Sequence, residues 1–144
     1  MKIAVGNDHA GYQIKLAVMD WMNGKGYDVE DFGTLSMASV DYPDYVHPVA
    51  EAVEKGEYDL GVLVCGSGQG VSMTANKHQG IRAALCWIPE IASLSRAHND
   101  ANILCLPGRY VNHEEAFAIL DAFFSAKFEG GRHQNRINKV SLRK

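Results

Sequence analysis

The sequence predicts an α/β protein: a three-layer αβα, Rossmann-like arrangement built on a five-stranded parallel sheet. Short apolar segments alternate along the chain with longer amphipathic ones. The short segments have the character of buried strands, and the long ones place apolar residues at helical spacing. Each connection is too long for a hairpin, which favours parallel strands joined by helices and covered on both faces. With neither a repeat nor a linker, the 144 residues are expected to form a single domain, 1–144.

The first three elements are two strands and the helix between them. KIAVG (2–6) has the apolar run of a buried strand, and the segment 12–26 has helical apolar spacing ending in two glycines. YDVEDFG (27–33) alternates polar and apolar residues, so we expect a strand near an edge of the sheet.

The middle of the chain contains the strongest strand signal. Residues 43–55 predict a helix opened by Pro43, although Pro48 indicates a late start or a kink. DLGVLVC (59–65) is a continuous apolar strand, and a helix is expected to follow it at about 71–77.

The last third of the chain repeats the pattern of strand and helix. A tail of different character, 128–144, follows two chain-breaking glycines and is basic. The elements expected before it are a strand at 81–86, a helix at 89–98, a strand at 102–107 and a helix at 113–128.

Composition excludes several classes of protein. The formal charge of −3 gives no sign of a nucleic-acid or membrane-surface binder. No apolar run approaches the roughly 18 residues of a membrane span, and the start turns polar too soon to resemble a signal peptide. The three cysteines, Cys65, Cys86 and Cys105, are an odd number without a CxxC pair. They indicate a reducing, cytoplasmic location rather than a disulfide framework or a zinc site.

Two polar, glycine-rich loops follow the first and third strands. The first strand ends in GNDHAG (6–11) and the third in CGSGQG (65–70). If the first strand lies between the second and third, the helices after these loops lie on opposite faces of the sheet. The crevice between them is then the switch point at which open α/β sheets bind ligands. We therefore expect a site where the two loops converge.

The glycine loop after Cys65 does not match a nucleotide-binding motif. It has neither the G-x-G-x-x-G spacing nor a terminal G-K-[ST]. Cys86 and Cys105 fit plain buried thiols. Cys65 differs because it ends a strand just before a helix, where amides and the helix dipole can favour a thiolate. Such a thiolate could abstract a proton or attack a carbonyl, and the loop amides with Ser67 could hold the resulting oxyanion.

Acid, imidazole and guanidinium groups complete the candidate chemistry. Asp8 and His9 end the first strand, and His98-Asn99-Asp100 ends a helix; each fits a helix cap when taken alone. Taken together around one crevice, they favour a site. Three arginines could be exposed basic residues or could bind a phosphate group, since guanidinium suits phosphate geometry: Arg109, Arg132 and Arg136. Because the chain as a whole is acidic, a small anionic molecule fits these arginines better than an anionic polymer does.

These motifs together resemble the type B ribose-5-phosphate isomerase family, which includes the galactose-6-phosphate isomerase subunits. The matching segments are GNDHAG, DYPDY, CGSGQGVSMTANKHQGIRAAL, SRAHNDANIL and GGRHQNRINKV, which extend from residue 6 to about 140. Some members lack the cysteine and place a glutamate at the position of Val71. Here Cys65 is present and Val71 cannot ionise, so this sequence matches the family members that use a cysteine thiolate as the base.

The resemblance implies a metal-independent aldose–ketose isomerisation through a cis-enediolate, with no cofactor. Cys65 would be the base, Ser67 and its loop would stabilise the enediolate, and His98 would open the sugar ring. Asp8 would exchange protons with the sugar oxygens. The substrate-binding residues it implies are His9, Tyr42, Gly66, Gly68, Gly70, Asn99, Arg109, Arg132 and Arg136.

The family resemblance also implies a homodimer or homotetramer with the site shared between subunits and the basic tail reaching a neighbour. The leading hypothesis is interconversion of ribose 5-phosphate and ribulose 5-phosphate in the pentose phosphate pathway. The alternatives are another phosphosugar (a tetrulose 4-phosphate, allose 6-phosphate or galactose 6-phosphate), a non-catalytic phosphosugar- or nucleotide-binding module, and a subunit that needs a different partner. Trp87 could line the pocket or an interface.

Overall fold

The computed structural model describes residues 1–142, and five strands form its sheet. The spatial order is β2-β1-β3-β5-β4, and every neighbouring pair is parallel. The expected fold class is confirmed, with the polar strand β2 at an edge and the apolar strand β3 in the centre. The strands are β1 (Lys2–Asn7), β2 (Asp28–Asp31), β3 (Leu60–Cys65), β4 (Ala83–Leu85) and β5 (Ile103–Pro107).

Helices cover both faces of the sheet. One face packs against α1, α4 and α5 through a core that includes Val18, Ala92 and Leu120. The other face packs against α2 and α3 through Val49 and Val71. The helices are α1 (Tyr12–Gly24), α2 (Pro43–Glu54), α3 (Gln69–Ala75), α4 (Pro89–Asn99), α5 (His113–Ser125) and α6 (Arg132–Ile137). No helix within residues 1–142 is both long and apolar enough to cross a membrane.

Several element boundaries differ from the sequence predictions for identifiable reasons. Helix α3 begins at Gln69 rather than at about 71, because Gly68 takes a left-handed backbone (φ 75°) that turns the chain into the helix at once. Helix α2 begins at Pro43 and continues through Pro48, so the late start is wrong. The last strand and helix, β5 and α5, follow in the predicted order, but α5 ends at Ser125 rather than at residue 128.

The basic tail is partly helical. Helix α6 spans Arg132–Ile137 and buries Ile137, so Arg132 and Arg136 lie four residues apart on one helix, as the spacing allowed. The two last basic residues, Arg143 and Lys144, lie outside the described part of the chain.

One fully buried lysine connects α1 to the segment that follows β2. Lys15 is 0% exposed, and its Nζ donates to Asp31 Oδ2 at 2.6 Å and to the Thr34 carbonyl at 3.0 Å. The same carboxylate accepts a hydrogen bond from the Gly33 amide at 2.9 Å. This ion pair therefore anchors the start of the long connection from β2 to α2.

Candidate active site

Three loops meet at the carboxyl edge of the sheet, where β1, β3 and β5 end. The Asp8 amide donates to the Val64 carbonyl at 3.2 Å, which joins the first loop to β3. The Gly108 amide donates to the Cys65 carbonyl at 2.7 Å, and the Arg109 amide donates to the Gly66 carbonyl at 2.9 Å. The predicted convergence of the GNDHAG and CGSGQG loops is confirmed, and β1 lies between β2 and β3 as the switch point requires.

Cys65 ends the central strand at this edge. Its side chain is 5% exposed and belongs to the core on the α2–α3 face. The other two cysteines lie in apolar surroundings, and burial raises the pKa of Cys86 to about 11 and that of Cys105 to about 12. Thiols with pKa values this high stay protonated and inert at neutral pH. The three thiols are unpaired, and Cys65 alone stands at the mouth of the glycine loop.

The glycine loop between Cys65 and α3 contains several backbone amides without a protein acceptor in the described residues. Within residues 1–142, the amides of Ser67, Gly68 and Gly70 donate to no protein acceptor. Gly70 also allows close packing of an aromatic ring, because a Cβ there would lie 2.6 Å from Cζ of Tyr42. The start of α2 is thus held against the loop, and free amides lie directly after Cys65. Such amides can stabilise a developing oxyanion.

Asp8 caps the turn that follows β1. Its Oδ1 accepts a hydrogen bond from the Gly11 amide at 3.1 Å, so the predicted capping role is confirmed. Its neighbour Asn7 is buried, and Asn7 Nδ2 donates to the Asp8 carbonyl at 2.9 Å. Because these hydrogen bonds hold both Asn7 and Asp8, the Asp8 carboxylate has a fixed position beside the end of β3.

His9 and Arg109 share one cleft. It has a volume of about 750 Å³, and Gly108 and the first residues of α5 also line it. The Val40 amide donates to His9 Nδ1 at 3.1 Å. In a neutral ring this leaves the proton on Nε2, as a donor for a ligand. The cleft therefore combines an N–H donor with a guanidinium, which suits an anion.

Trp87 lines a second, smaller cleft beside the glycine loop. The side chain is exposed, and the cleft of about 460 Å³ that it lines also includes Ser67, Leu85 and Tyr110. Trp87 is 54% exposed in the single chain, so this geometry is compatible both with pocket lining and with a subunit interface.

The remaining predicted site residues lie at the opposite end of the strands, near their amino ends. Asn99 ends α4, and its carbonyl accepts a hydrogen bond from Arg82 Nε at 2.9 Å, at the amino end of β4. The five residues of β5 separate this edge from Cys65 by about 16 Å, at about 3.3 Å per residue. The expectation that His98 and Asn99 surround the same crevice is therefore wrong for a single chain. A helix after β4 must run back toward the amino ends of the strands.

Arg132 and Arg136 accompany His98 at that edge. Helix α6 packs on α4, and the Glu129 amide donates to the Ala97 carbonyl at 3.0 Å. One chain thus holds two separate sets of predicted site residues. The first set contains Asp8, His9, Tyr42, Cys65 with its loop through Gly70, and Arg109; the second contains His98, Asn99, Arg132 and Arg136.

Comparison with known proteins settles the family. The model of the family described as Ribose/Galactose Isomerase matches residues 3–140, nearly the whole chain. The chain belongs to the ribose/galactose isomerase family. The resemblance inferred from the sequence motifs is confirmed.

Relatives within the ribose/galactose isomerase family align over most of their own length. Ribose-5-phosphate isomerase B of Escherichia coli is 46% identical over 140 residues, covering 97% of this chain and 94% of that protein. A ribose 5-phosphate isomerase structure from Thermotoga maritima is 51% identical with a TM-score of 0.95, covering 97% of each chain. Ribose-5-phosphate isomerase B of Mycoplasma genitalium, solved with bound ribulose-5-phosphate, is 43% identical with a TM-score of 0.93, covering 96% of this chain and 93% of that one.

Sequence reasoning missed two groups beside these sites. Lys15 carries a usable signal, since it lies three residues before Val18 and seven before Met22, on the buried stripe of α1. The sequence signal for Glu129 is weaker: it is the single acidic residue in the basic tail 128–144. Its carboxylate lies 3.7 Å from His98 Nε2 and 3.5 Å from His133 Nε2, a grouping that sequence distance conceals.

Proposed function

We propose that this chain is an aldose–ketose isomerase that interconverts ribose 5-phosphate and ribulose 5-phosphate. The observation that carries the proposal is the position of Cys65, the one thiol at the mouth of a loop with free amides, next to the cleft of His9 and Arg109. The names of the relatives and the bound ribulose-5-phosphate of one of them support the choice of sugar. The pathway is then the pentose phosphate pathway, and the cytoplasmic location predicted from the cysteines is part of the same proposal.

The first half of the reaction moves one proton from carbon to sulfur. The Cys65 thiolate removes the proton from C2 of the open-chain aldose, and the electron pair of the broken C–H bond forms the C1–C2 double bond. The former carbonyl oxygen, O1, takes the negative charge. The free amides of Ser67, Gly68 and Gly70 stabilise that oxyanion, because preformed donors gain most where charge develops.

The second half returns the proton to the neighbouring carbon. Asp8 relays a proton from O2 to O1, and the Cys65 thiol then gives its proton to C1 as the C2 carbonyl forms. Atoms and charge balance without an added reagent, so the chain needs neither a redox cofactor nor a metal for this step. His98 acts before isomerisation, by opening the furanose ring through proton transfer at its ring oxygen.

We propose further that two copies of the chain complete one site. Cys65 and His98 lie at opposite edges of the sheet in one chain, so they act on one sugar only if the second set of residues comes from a neighbour. Exposed apolar side chains near the first set, among them Met37, Met73 and Tyr110, provide surface for such a contact. A homodimer is the smallest closed assembly that satisfies this, and a homotetramer of such dimers remains compatible with it.

Mixing two inactive variants tests the shared site. Cys65→Ser and His98→Asn should each be inactive alone, whereas subunit exchange between them should restore activity. With random exchange, half of the dimers are mixed and each has one intact site, so about a quarter of the wild-type activity is expected. Cys65→Ser that is dissociated and reassociated alone is the control and should stay inactive. No recovery, although mass spectrometry detects mixed dimers, would place the whole site within one chain.

Arg136→Ala tests the phosphate grip of α6. We expect KM for the phosphosugar to rise about tenfold with a smaller change in kcat, since a charge-assisted hydrogen bond contributes about 1.5 kcal/mol or more. Steady-state kinetics measures both constants. Lys139→Ala, which removes a charge just beyond α6, is the matched control and should leave KM unchanged. An unchanged KM in Arg136→Ala would remove α6 from the phosphate site.

A panel assay of the purified chain without added metal tests the activity itself. Ribose 5-phosphate and ribulose 5-phosphate should be turned over faster than erythrulose 4-phosphate, allose 6-phosphate or galactose 6-phosphate. Preference for another sugar would keep the mechanism and change the substrate. Absence of turnover on every sugar would favour a binding module or a subunit that needs a different partner.

A further inference from the structure

Three potential metal ligands lie together where α4, α6 and the segment before α6 meet. They are His98 in the last turn of α4, Glu129 after α5 and His133 in the first turn of α6. Glu129 Oε1 lies 3.5 Å from His133 Nε2 and 3.7 Å from His98 Nε2, and the three ligand atoms lie within 4.8 Å of one another. We propose that this triad binds a divalent transition-metal ion of the Zn²⁺ class.

The distances from the Glu129 oxygen to the two imidazole nitrogens fit such an ion. Zn²⁺ takes imidazole nitrogen and carboxylate oxygen at about 2.0–2.1 Å in a tetrahedron, which separates two ligand atoms by about 3.4 Å. The two Glu129 distances exceed this value by only 0.1–0.3 Å. Three protein ligands leave a fourth position for water, as in open zinc sites.

Backbone hydrogen bonds hold the segments that carry the three ligands, whereas the side chains of His98 (39% exposed) and Glu129 (59% exposed) are open to solvent. The Glu129 amide donates to the Ala97 carbonyl at 3.0 Å, one residue before His98, and the His133 amide donates to the Gly130 carbonyl at 3.1 Å. The side chain of His133 is only 11% exposed, and its ring stacks on that of His98 with centroids 4.4 Å apart and planes 12° apart. Binding requires the two rings to turn toward each other about χ2, a torsion that is soft in histidine.

A second histidine cluster serves as an internal comparison. His47 Nδ1 and His78 Nε2 lie 2.7 Å apart, the distance of a hydrogen bond between the rings and too short for two ligands of one metal. The carboxylate of Glu54 beside them already accepts the Gly80 amide. The His47–His78 cluster is therefore held by its own hydrogen bonds. Within residues 1–142, the side-chain polar atoms of His98, Glu129 and His133 meet only as ion pairs at 3.5 and 3.7 Å.

The functional consequence rests on the proposed role of His98 in ring opening. A metal on His98 Nε2 occupies the lone pair or displaces the proton that ring opening uses. The family resemblance implies a reaction without a metal, so the ion here acts as an inhibitor rather than a cofactor. Isomerisation should therefore stop as the site fills, at micromolar Zn²⁺, because Arg132 and Arg136 on the same helix weaken cation binding.

Calorimetric titration of the chelator-treated full chain with ZnCl₂ tests the site independently of activity. We expect one ion per chain and at least tenfold weaker binding in His133→Gln and in Glu129→Gln. Co²⁺ should give the visible spectrum of a four-coordinate ion without a thiolate charge-transfer band. Cys65→Ser and His47→Gln are the controls and should bind as the wild type does.

The outcomes separate the metal site from the proposed function. His133→Gln should keep the isomerase activity and lose its inhibition by Zn²⁺. This result would support both the metal site and its inhibition of the isomerase. Binding that survives in His133→Gln, or that disappears in Cys65→Ser or His47→Gln, overturns the site. Stoichiometric binding at the triad by a chain that isomerises no sugar phosphate supports the site and overturns the proposed function. Bound Zn²⁺ without loss of activity in an active chain overturns the inhibition.

Discussion

Cys65→Ser is expected to lower kcat by about 10³-fold while KM for the phosphosugar changes little. A positioned general base contributes about 10²–10⁴-fold, and a serine hydroxyl in the same place is not ionised at neutral pH. The His9–Arg109 cleft and the loop amides remain, so binding is retained. Steady-state kinetics measures both constants, and exchange of the C2 proton with deuterated solvent measures the base directly.

Cys86→Ser is the matched control for this substitution. Cys86 is buried and belongs to the core on the opposite face of the sheet, where burial raises its pKa. Serine at this position should cost some stability and leave kcat per folded molecule unchanged. If Cys65→Ser retained kcat, the thiolate base would be ruled out, whatever the assay with other sugars showed.

Lys15→Met is expected to lower the free energy of unfolding by about 3 kcal/mol. The substitution preserves most of the side-chain volume but removes the ammonium donor from the Thr34 carbonyl and from the Asp31 carboxylate, which keeps only the Gly33 amide. Removing one partner of a buried ion pair costs about 3–5 kcal/mol, and the side chain of Asp31 is 21% exposed, which places the cost at the lower end. Denaturant unfolding, followed by circular dichroism, measures it.

Two further variants make the Lys15 experiment specific. Lys55→Met makes the same chemical change at an exposed position and should stay within about 0.5 kcal/mol of the wild type. Lys15→Met combined with Asp31→Leu removes both charges and should recover part of the loss. Equal stabilities of Lys15→Met and Lys55→Met would show that the buried pair contributes nothing to the fold.

The part of the site next to β1 and β3 was predictable because it depends on topology alone. Two glycine-rich loops at the ends of strands that neighbour in a parallel sheet must meet, and the structure brings Asp8 and Cys65 to one edge. The strand order needed one assumption, the position of β1 between β2 and β3, and the structure confirms it.

The position of the end of α4 also follows from topology, although the sequence analysis placed it wrongly. A helix that joins two parallel strands ends near the amino end of the second strand, so His98 and Asn99 lie there and not beside Cys65. The Glu129–His133 grouping depends on how α6 packs on α4, and that packing has no periodic signal in a basic six-residue helix. Tertiary contacts between helices, unlike strand neighbours, leave little trace in one sequence.

The edge strand β2 has a consequence for how copies of the chain can join. It is four residues long and contains three carboxylates, of which Asp28 and Glu30 are exposed. Short, charged edges discourage the addition of a foreign strand, since like charges would face each other across the new ladder. Self-association by strand addition at β2 is thereby suppressed, and with it amyloid-like stacking at this edge. Copies of the chain that meet on this side must do so through side chains of helices and loops.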